Sequence, residues 1–185
     1  DAAGFDSVRI PVRWSAHAET APPYQIDQAF FDRVDKAIEQ VLSRKLVAIV
    51  DFHKYVEMMS SPYKHKDRFL ALWKQIAEHY SNHSSTLYFE LLNEPHDQLT
   101  SNLWNEYIAE VIPLIRKSNP YRTIVIGPTQ WNSIAKLEQL KLPPEDHNLI
   151  VTFHFYAPFK FTHQGASWVG QKSIAWLGTN WTGTE

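Results

Sequence analysis

Two rhythms of apolar and polar positions alternate along the 185-residue chain. Five runs are almost continuously apolar: Asp6–Val12, Leu46–His53, Thr86–Leu92, Thr123–Ile126 and Leu149–Tyr156. Strands covered on both sheet faces read this way. Between them, apolar residues recur at helical spacing. Phe30, Phe31, Val34, Ala37, Ile38, Val41 and Leu42 follow Asp27, an N-cap candidate. Phe69, Leu72, Trp73, Ile76 and Tyr80 form a second stripe. Leu103, Tyr107, Val111 and Ile115 form a third from about Ser101 to Ser118, which Pro113 is expected to kink or unwind near its end. A shorter helix is expected around Ile134–Leu140. Strand–helix units repeating every ~30–40 residues predict an α/β fold with parallel strands, in one domain over residues 1–185.

Composition narrows the function. Eighteen Lys and Arg against 20 Asp and Glu leave a net charge of −2, without a basic run, which argues against a nucleic-acid partner. No apolar stretch approaches the ~20 residues of a membrane helix. The chain has no Cys, so disulfides and thiolate chemistry are excluded. Aromatic residues reach 14%, with seven Trp.

The predicted strands end in residues with chemistry. Arg9 lies in the first, Asp51-Phe52-His53 ends the second, Glu90 and Asn93-Glu94-Pro95 mark the third, and His154-Phe155-Tyr156 ends the fifth. In a parallel barrel, catalytic groups collect at such C-terminal ends. Period-two alternation puts Asp51 with His53, Glu90 with Glu94, and His154 with Tyr156 on shared faces. Buried charges there are costly unless paired. Arg9 is therefore either a structural partner of Glu90 or Asp51, a site residue, or both. Glu90 and Asp51 read better as support than as reacting groups, and Glu94 is the strongest single candidate.

In combination, these residues resemble glycoside hydrolase family 5. The resemblance rests on Val8-Arg9-Ile10-Pro11-Val12-Arg13-Trp14, Asp51-Phe52-His53, Phe89-Glu90-Leu91-Leu92-Asn93-Glu94-Pro95 and His154-Phe155-Tyr156, in order along the chain. Arg68–Ala77 and Pro158–Ala166 are similar to the bacterial endoglucanase branch, which includes enzymes acting on glucan and mannan. The resemblance implies a (β/α)8 TIM barrel and a retaining endo-β-1,4-glucanase, with endo-β-1,4-mannanase as the alternative. It implies Glu94 as general acid/base and Asn93 as the residue holding the sugar 2-hydroxyl. Arg9 and Tyr156 would hydrogen-bond the nucleophile, and His53 and His154 would line the same subsite. A retaining hydrolase needs one protonated and one ionised carboxyl ~5–5.5 Å apart. A nearby cation and phenol keep the second ionised, and partial burial raises the pKa of the first.

The chain departs from the family pattern in two places. Lys54 stands where the branch commonly has a second His. The nucleophile motif, a Gly-Glu-Phe-Gly type at the seventh strand, is absent; Glu185, the only Glu after Glu145, follows a polar loop and is not expected to replace it. Five strands, by resemblance the second to sixth of eight, predict a stretch of a longer protein truncated at both ends, since a closed barrel typically needs ~250 residues. Such a stretch is expected to aggregate or fold loosely and to lack turnover.

Sugar faces stack on flat side chains, so among Trp14, Tyr55, Trp131, Tyr156, Phe159, Phe161, Trp168 and Trp181 in strand-end loops two or three are expected as platforms, Trp131 first, and the rest as packing. Trp73 and Trp104 are expected in the core. The expected partner is a β-1,4-linked polysaccharide such as cellulose, β-glucan or mannan, with no cofactor, metal or membrane, acted on by a monomer that is expected to be secreted, with a cytoplasmic location as the alternative. Two other classes remain open: a metal-dependent barrel hydrolase using His53, Glu94 and His154, and a non-catalytic carbohydrate-binding barrel.

Overall fold

The computed structural model describes residues 4–181 and 183. Its sheet contains β1 (Ser7–Val12), β2 (Val47–Phe52), β3 (Leu87–Glu90), β4 (Ile124–Ile126) and β5 (Leu149–Val151), all parallel and neighbouring in chain order. The register aligns Pro11 with Asp51 and Asp51 with Glu90. The ends of the first three strands therefore meet at one level.

Four helices cover the sheet: α1 (Gln28–Leu42), α2 (Val56–Ser60), α3 (Pro62–His79) and α4 (Ser101–Arg116). Asp27 caps α1, its carboxylate accepting from Ala29 N at 3.0 Å, and Phe31, Val34, Ile38 and Val41 are the buried stripe. Phe69, Leu72, Trp73 and Ile76 of α3, and Leu103, Trp104, Tyr107, Val111 and Ile115 of α4, complete the core with Ala48, Val50 and Phe89. Two indoles also pin strand ends: Trp73 Nε1 donates to Leu91 O at 3.1 Å and Trp104 Nε1 to Gly127 O at 2.9 Å. Core packing is thereby transmitted to the loops that follow β3 and β4.

The structure corrects three expectations. Helix α4 runs through Pro113 to Arg116 without unwinding. Pro113 and Ala109, whose carbonyl loses its N–H partner, are both exposed, while Ile108, Val111, Ile112 and Ile115 stay anchored. The expected helix at Ile134–Leu140 is a 3-10 helix, Ile134–Gln139, without a buried residue to fix an α-helical stripe. Strand β5 stops at Val151, because Thr152 N makes the last ladder bond to Ile126 O, at the end of β4.

The chain forms two compact units, residues 1–153 and 154–185. The second contains a single helical turn, Phe159–Thr162, and two 3-10 helices, Ser167–Val169 and Gln171–Trp176. Buried Ser173 organises it, its Oγ within 2.9 Å of both Ala166 O and Gly170 O.

Candidate active site

At the ends of β1 to β3 a single cation gathers three acidic or amide groups. Arg9 Nε donates to Glu90 Oε2 at 2.5 Å, and its Nη2 lies 2.7 Å from Glu90 Oε1, 2.8 Å from Asn93 Oδ1 and 2.8 Å from Asp51 Oδ2. Asp51 and Glu90 are buried, so this fork satisfies charges that desolvation would otherwise make costly. Burial works against the Arg9 cation, but the Glu90 hydrogen bond and the charges of Asp51, Glu90 and Glu94 outweigh it and raise its pKa. Arg9 Nη1 has no hydrogen-bond partner among the described residues. Two N–H groups of the cation thus stay available to a further acceptor.

His53 joins the same carboxylate. Its Nδ1–H donates to Asp51 Oδ2 at 2.5 Å, which leaves Nε2 as the acceptor of the neutral ring. The alternation that placed Asp51 and His53 on one face is thus met. Lys54 follows with φ 56 and is exposed, its ammonium in no ion pair among the described residues.

Glu94 follows β3 in a left-handed conformation, φ 49, and is half-buried. A non-glycine residue keeps such a backbone only where its surroundings hold it. Those surroundings include His96, whose Nδ1–H donates to Glu94 O at 2.5 Å. The His96 ring stacks on Trp131 with centroids 5.0 Å apart and planes 17° apart. Trp131 is 53% exposed and occupies a turn, Thr129–Asn132, in which Gln130, Trp131 and Asn132 have φ between 55 and 59. Trp131 N donates to Pro95 O at 3.3 Å. The turn needs Gly127, where a Cβ would strike the Asn132 carboxamide.

The structure therefore brings Arg9, Asp51, His53, Glu90 and Asn93 into one network and couples Glu94 to Trp131 through His96. His154 and Tyr156 lie in the second unit, their rings edge-on at 6.0 Å. There Tyr156 also meets His163 edge-on at 5.2 Å, and His163 stacks on Phe159 at 4.0 Å. Of the platform candidates, Trp14 and Tyr55 are fully buried and pack the core, whereas Tyr156, Phe159, Trp168 and Trp181 are exposed. Trp73 and Trp104 are core residues, as their helical spacing predicted. Glu185 lies outside the described residues. Among the described residues, no three His, Asp or Glu gather as a metal-binding group.

A sequence profile for Cellulase (glycosyl hydrolase family 5) matches residues 1–184. The chain belongs to glycosyl hydrolase family 5. Among curated relatives, Endoglucanase H of Acetivibrio thermocellus is 42% identical over 164 residues, which are 88% of this chain and 18% of that protein. Cellodextrinase A of Ruminococcus flavefaciens is 33% identical over 175 residues, 89% of this chain and 51% of that protein. The crystal structure of endoglucanase Cel5A from Thermotoga maritima superposes with a TM-score of 0.92 at 50% identity, covering 97% of this chain and 58% of that one. That protein has also been solved with mannotriose and with cellobiose. The chain thus spans between 18% and 58% of these relatives' lengths. Its five parallel strands are those of an incomplete (β/α)8 barrel of this family.

Two residues that support the family 5 site escaped the sequence reading. Arg68 donates to Glu19 O, Ser15 O and Ala18 O, each at 2.9 Å, and to Tyr55 OH at 3.3 Å, bracing the loop after β1. His96 carries the link from Glu94 to Trp131 described above. Its place directly after Asn93-Glu94-Pro95 was the signal available.

Proposed function

We propose that the protein carrying this chain is a retaining endo-β-1,4-glucanase in which Glu94 is the general acid/base. The observation that carries this reading is half-buried Glu94 at the end of β3, beside a cation whose other carboxylate neighbours are already committed. Asp51 and Glu90 are buried and bound to Arg9, which suits them to hold the site and not to attack a sugar. The attacking carboxylate is then supplied from outside the described residues, with the spare Nη1 of Arg9 to hold it ionised. In the first step Glu94 protonates the glycosidic oxygen as that carboxylate attacks the anomeric carbon. In the second, ionised Glu94 takes a proton from the water that releases the sugar.

Asn93 holds the 2-hydroxyl in this reading, His53 contacts the same ring, and Trp131 stacks a sugar face. Relatives named as endoglucanases support β-1,4-glucan as substrate. The mannotriose complex of the Thermotoga maritima protein makes mannan the second polymer to test. We further propose that the enzyme acts outside the cell, where its polymer is found, and as a monomer.

The test uses the intact protein with carboxymethylcellulose, mannan and xylan. Glu94→Gln is expected to lower turnover ~10²–10⁴-fold while cellotriose affinity persists. Proton NMR of early product should show the β-anomer; the α-anomer appearing first refutes retention.

A further inference from the structure

A buried phenol ties together the loops around the site, and the reaction above makes no use of it. Tyr55 follows His53 and Lys54 and is fully buried. Its ring lies parallel to Phe52 of β2, with centroids 5.6 Å apart and planes 5° apart. Its carbonyl accepts from Met58 N at 3.1 Å and Met59 N at 3.3 Å, which starts α2, and Met59 O accepts from Gln98 N at 3.0 Å in the loop after β3. Its hydroxyl accepts at 3.3 Å from Nη1 of Arg68, the cation that braces the loop after β1. One residue thus joins the groups that position the loops after three successive strands.

The bonds of that hydroxyl have a fixed direction. Arg68 can only donate, so the phenol's own proton goes to its other partner, His65 Nδ1, at 3.1 Å. With Nδ1 protonated, two donors would face the buried oxygen, and its proton would have no acceptor among the described residues. His65 is therefore the neutral ring that carries its proton on Nε2. The charged groups facing it are Glu57 of α2 and Lys64 and Arg68 of α3. Burial lowers the His65 pKa, Glu57 opposes this, and Lys64 and Arg68 lower it further. Burial also raises the Tyr55 pKa against the pull of Arg68, so the group stays a phenol.

Only Lys54 separates Tyr55 from His53, the last member of the Arg9–Asp51 network. His53 N donates to Val12 O at 2.8 Å, and Lys54 holds φ 56, a backbone that persists only where its surroundings fix it. We propose that Tyr55 is a positioning residue for His53, and that neutral His65 is the acceptor that locks Tyr55 in place. Protonation of His65 Nδ1 turns this acceptor into a donor beside the Arg68 cation. The Tyr55 hydroxyl then loses its partner, and the His53-Lys54 segment loses its second anchor. The role rests on the catalytic reading above, in which His53 contacts the sugar. Acid thereby slows the enzyme through a histidine that does no chemistry itself.

Two measurements on the intact protein test this. Nitrogen-15 NMR of the histidine-labelled protein, with His65→Asn to assign the signal, should show His65 protonated on Nε2 alone at pH 8 and titrating below the ordinary 6.5. A proton on Nδ1 at pH 8, or titration at or above 6.5, overturns the lock. On cellohexaose, Tyr55→Phe and His65→Leu should each lower kcat about tenfold at pH 7 with KM little changed. The Oδ1 of His65→Asn accepts in place of Nδ1 and does not titrate. That variant should keep the kcat of the unsubstituted protein at pH 7 and lose less of it between pH 7 and pH 5, by up to the same tenfold. Unchanged kcat in Tyr55→Phe or His65→Leu, no rescue by His65→Asn, or equal acid losses in His65→Asn and the unsubstituted protein each overturn the role. No hydrolysis of cellohexaose by the unsubstituted protein instead refutes the catalytic reading, and the positioning role falls with it.

Discussion

Asp51 shares one oxygen, Oδ2, between Arg9 at 2.8 Å and His53 at 2.5 Å, in a fully buried position. Asp51→Asn would leave Arg9 with one counter-charge fewer and weaken the acceptor for His53 Nδ1–H. Breaking a buried pair from one side costs about 3–5 kcal/mol, so a urea melt should show a loss of that order. Trp131→Ala acts differently, since the ring is exposed and stacks mainly on His96. It should leave the melt nearly unchanged and weaken oligosaccharide binding about tenfold, measurable by calorimetry. The pairing of Arg9 with Asp51 and Glu90 was legible in the sequence because charged residues in an apolar parallel strand need partners at strand ends, whereas the bond from Arg9 to Asn93 was not. Arg68 and Arg122 were not. Arg122 reaches the carbonyls of Tyr80, His83, Ser84 and Leu87, and nothing local in the sequence announces carbonyl acceptors on remote turns. That Trp14 and Tyr55 are among the loop aromatics that pack was not legible for a related reason: a loop position says nothing of what later packs over it.

At the scale of elements, the end of α4 is clasped to the segment before β5. Arg116 Nε and Nη2 donate to Asp146 at 2.7 and 3.0 Å. Burial pushes the Asp146 carboxyl up, but the Arg116 fork and the Asn148 N–H overcome it and hold its pKa below the usual value. A depressed folded-state pKa stabilises the fold above the unfolded value, ~3.9, and that stabilisation is lost as pH falls through the folded one. Melting temperature should therefore drop from pH 5 to pH 2, and Asp146→Asn should flatten that slope while lowering stability at pH 7. The amphipathic stripes of α1, α3 and α4 were readable because each repeats over several turns. Helix α2 has five residues, too few for a period, and the left-handed turn at 130–132 lacks the glycines that usually mark one. Packing against β4, through Gly127 and Asn132, decides that turn's shape.

At the scale of the whole molecule, β1 and β5 each pair on one side only among the described residues. β5 exposes apolar side chains, Ile150 at 43% and Val151 at 47%. Open edges of this kind recruit other chains. The 185-residue chain on its own is expected to self-associate at tens of micromolar. Ile150→Lys with Val151→Lys should reduce light scattering without lowering helical content by circular dichroism. The parallel sheet itself was legible from strand and helix runs in alternation, whereas the second unit was not, because turns fixed by Ser173 and Gln164 carry no hydrophobic period. The strand order has a further consequence, in time. Each strand pairs with the one made immediately before it, so a ribosome delivers every partner in the order in which it is needed. These five strands can be laid down in chain order while the remainder is still being synthesised.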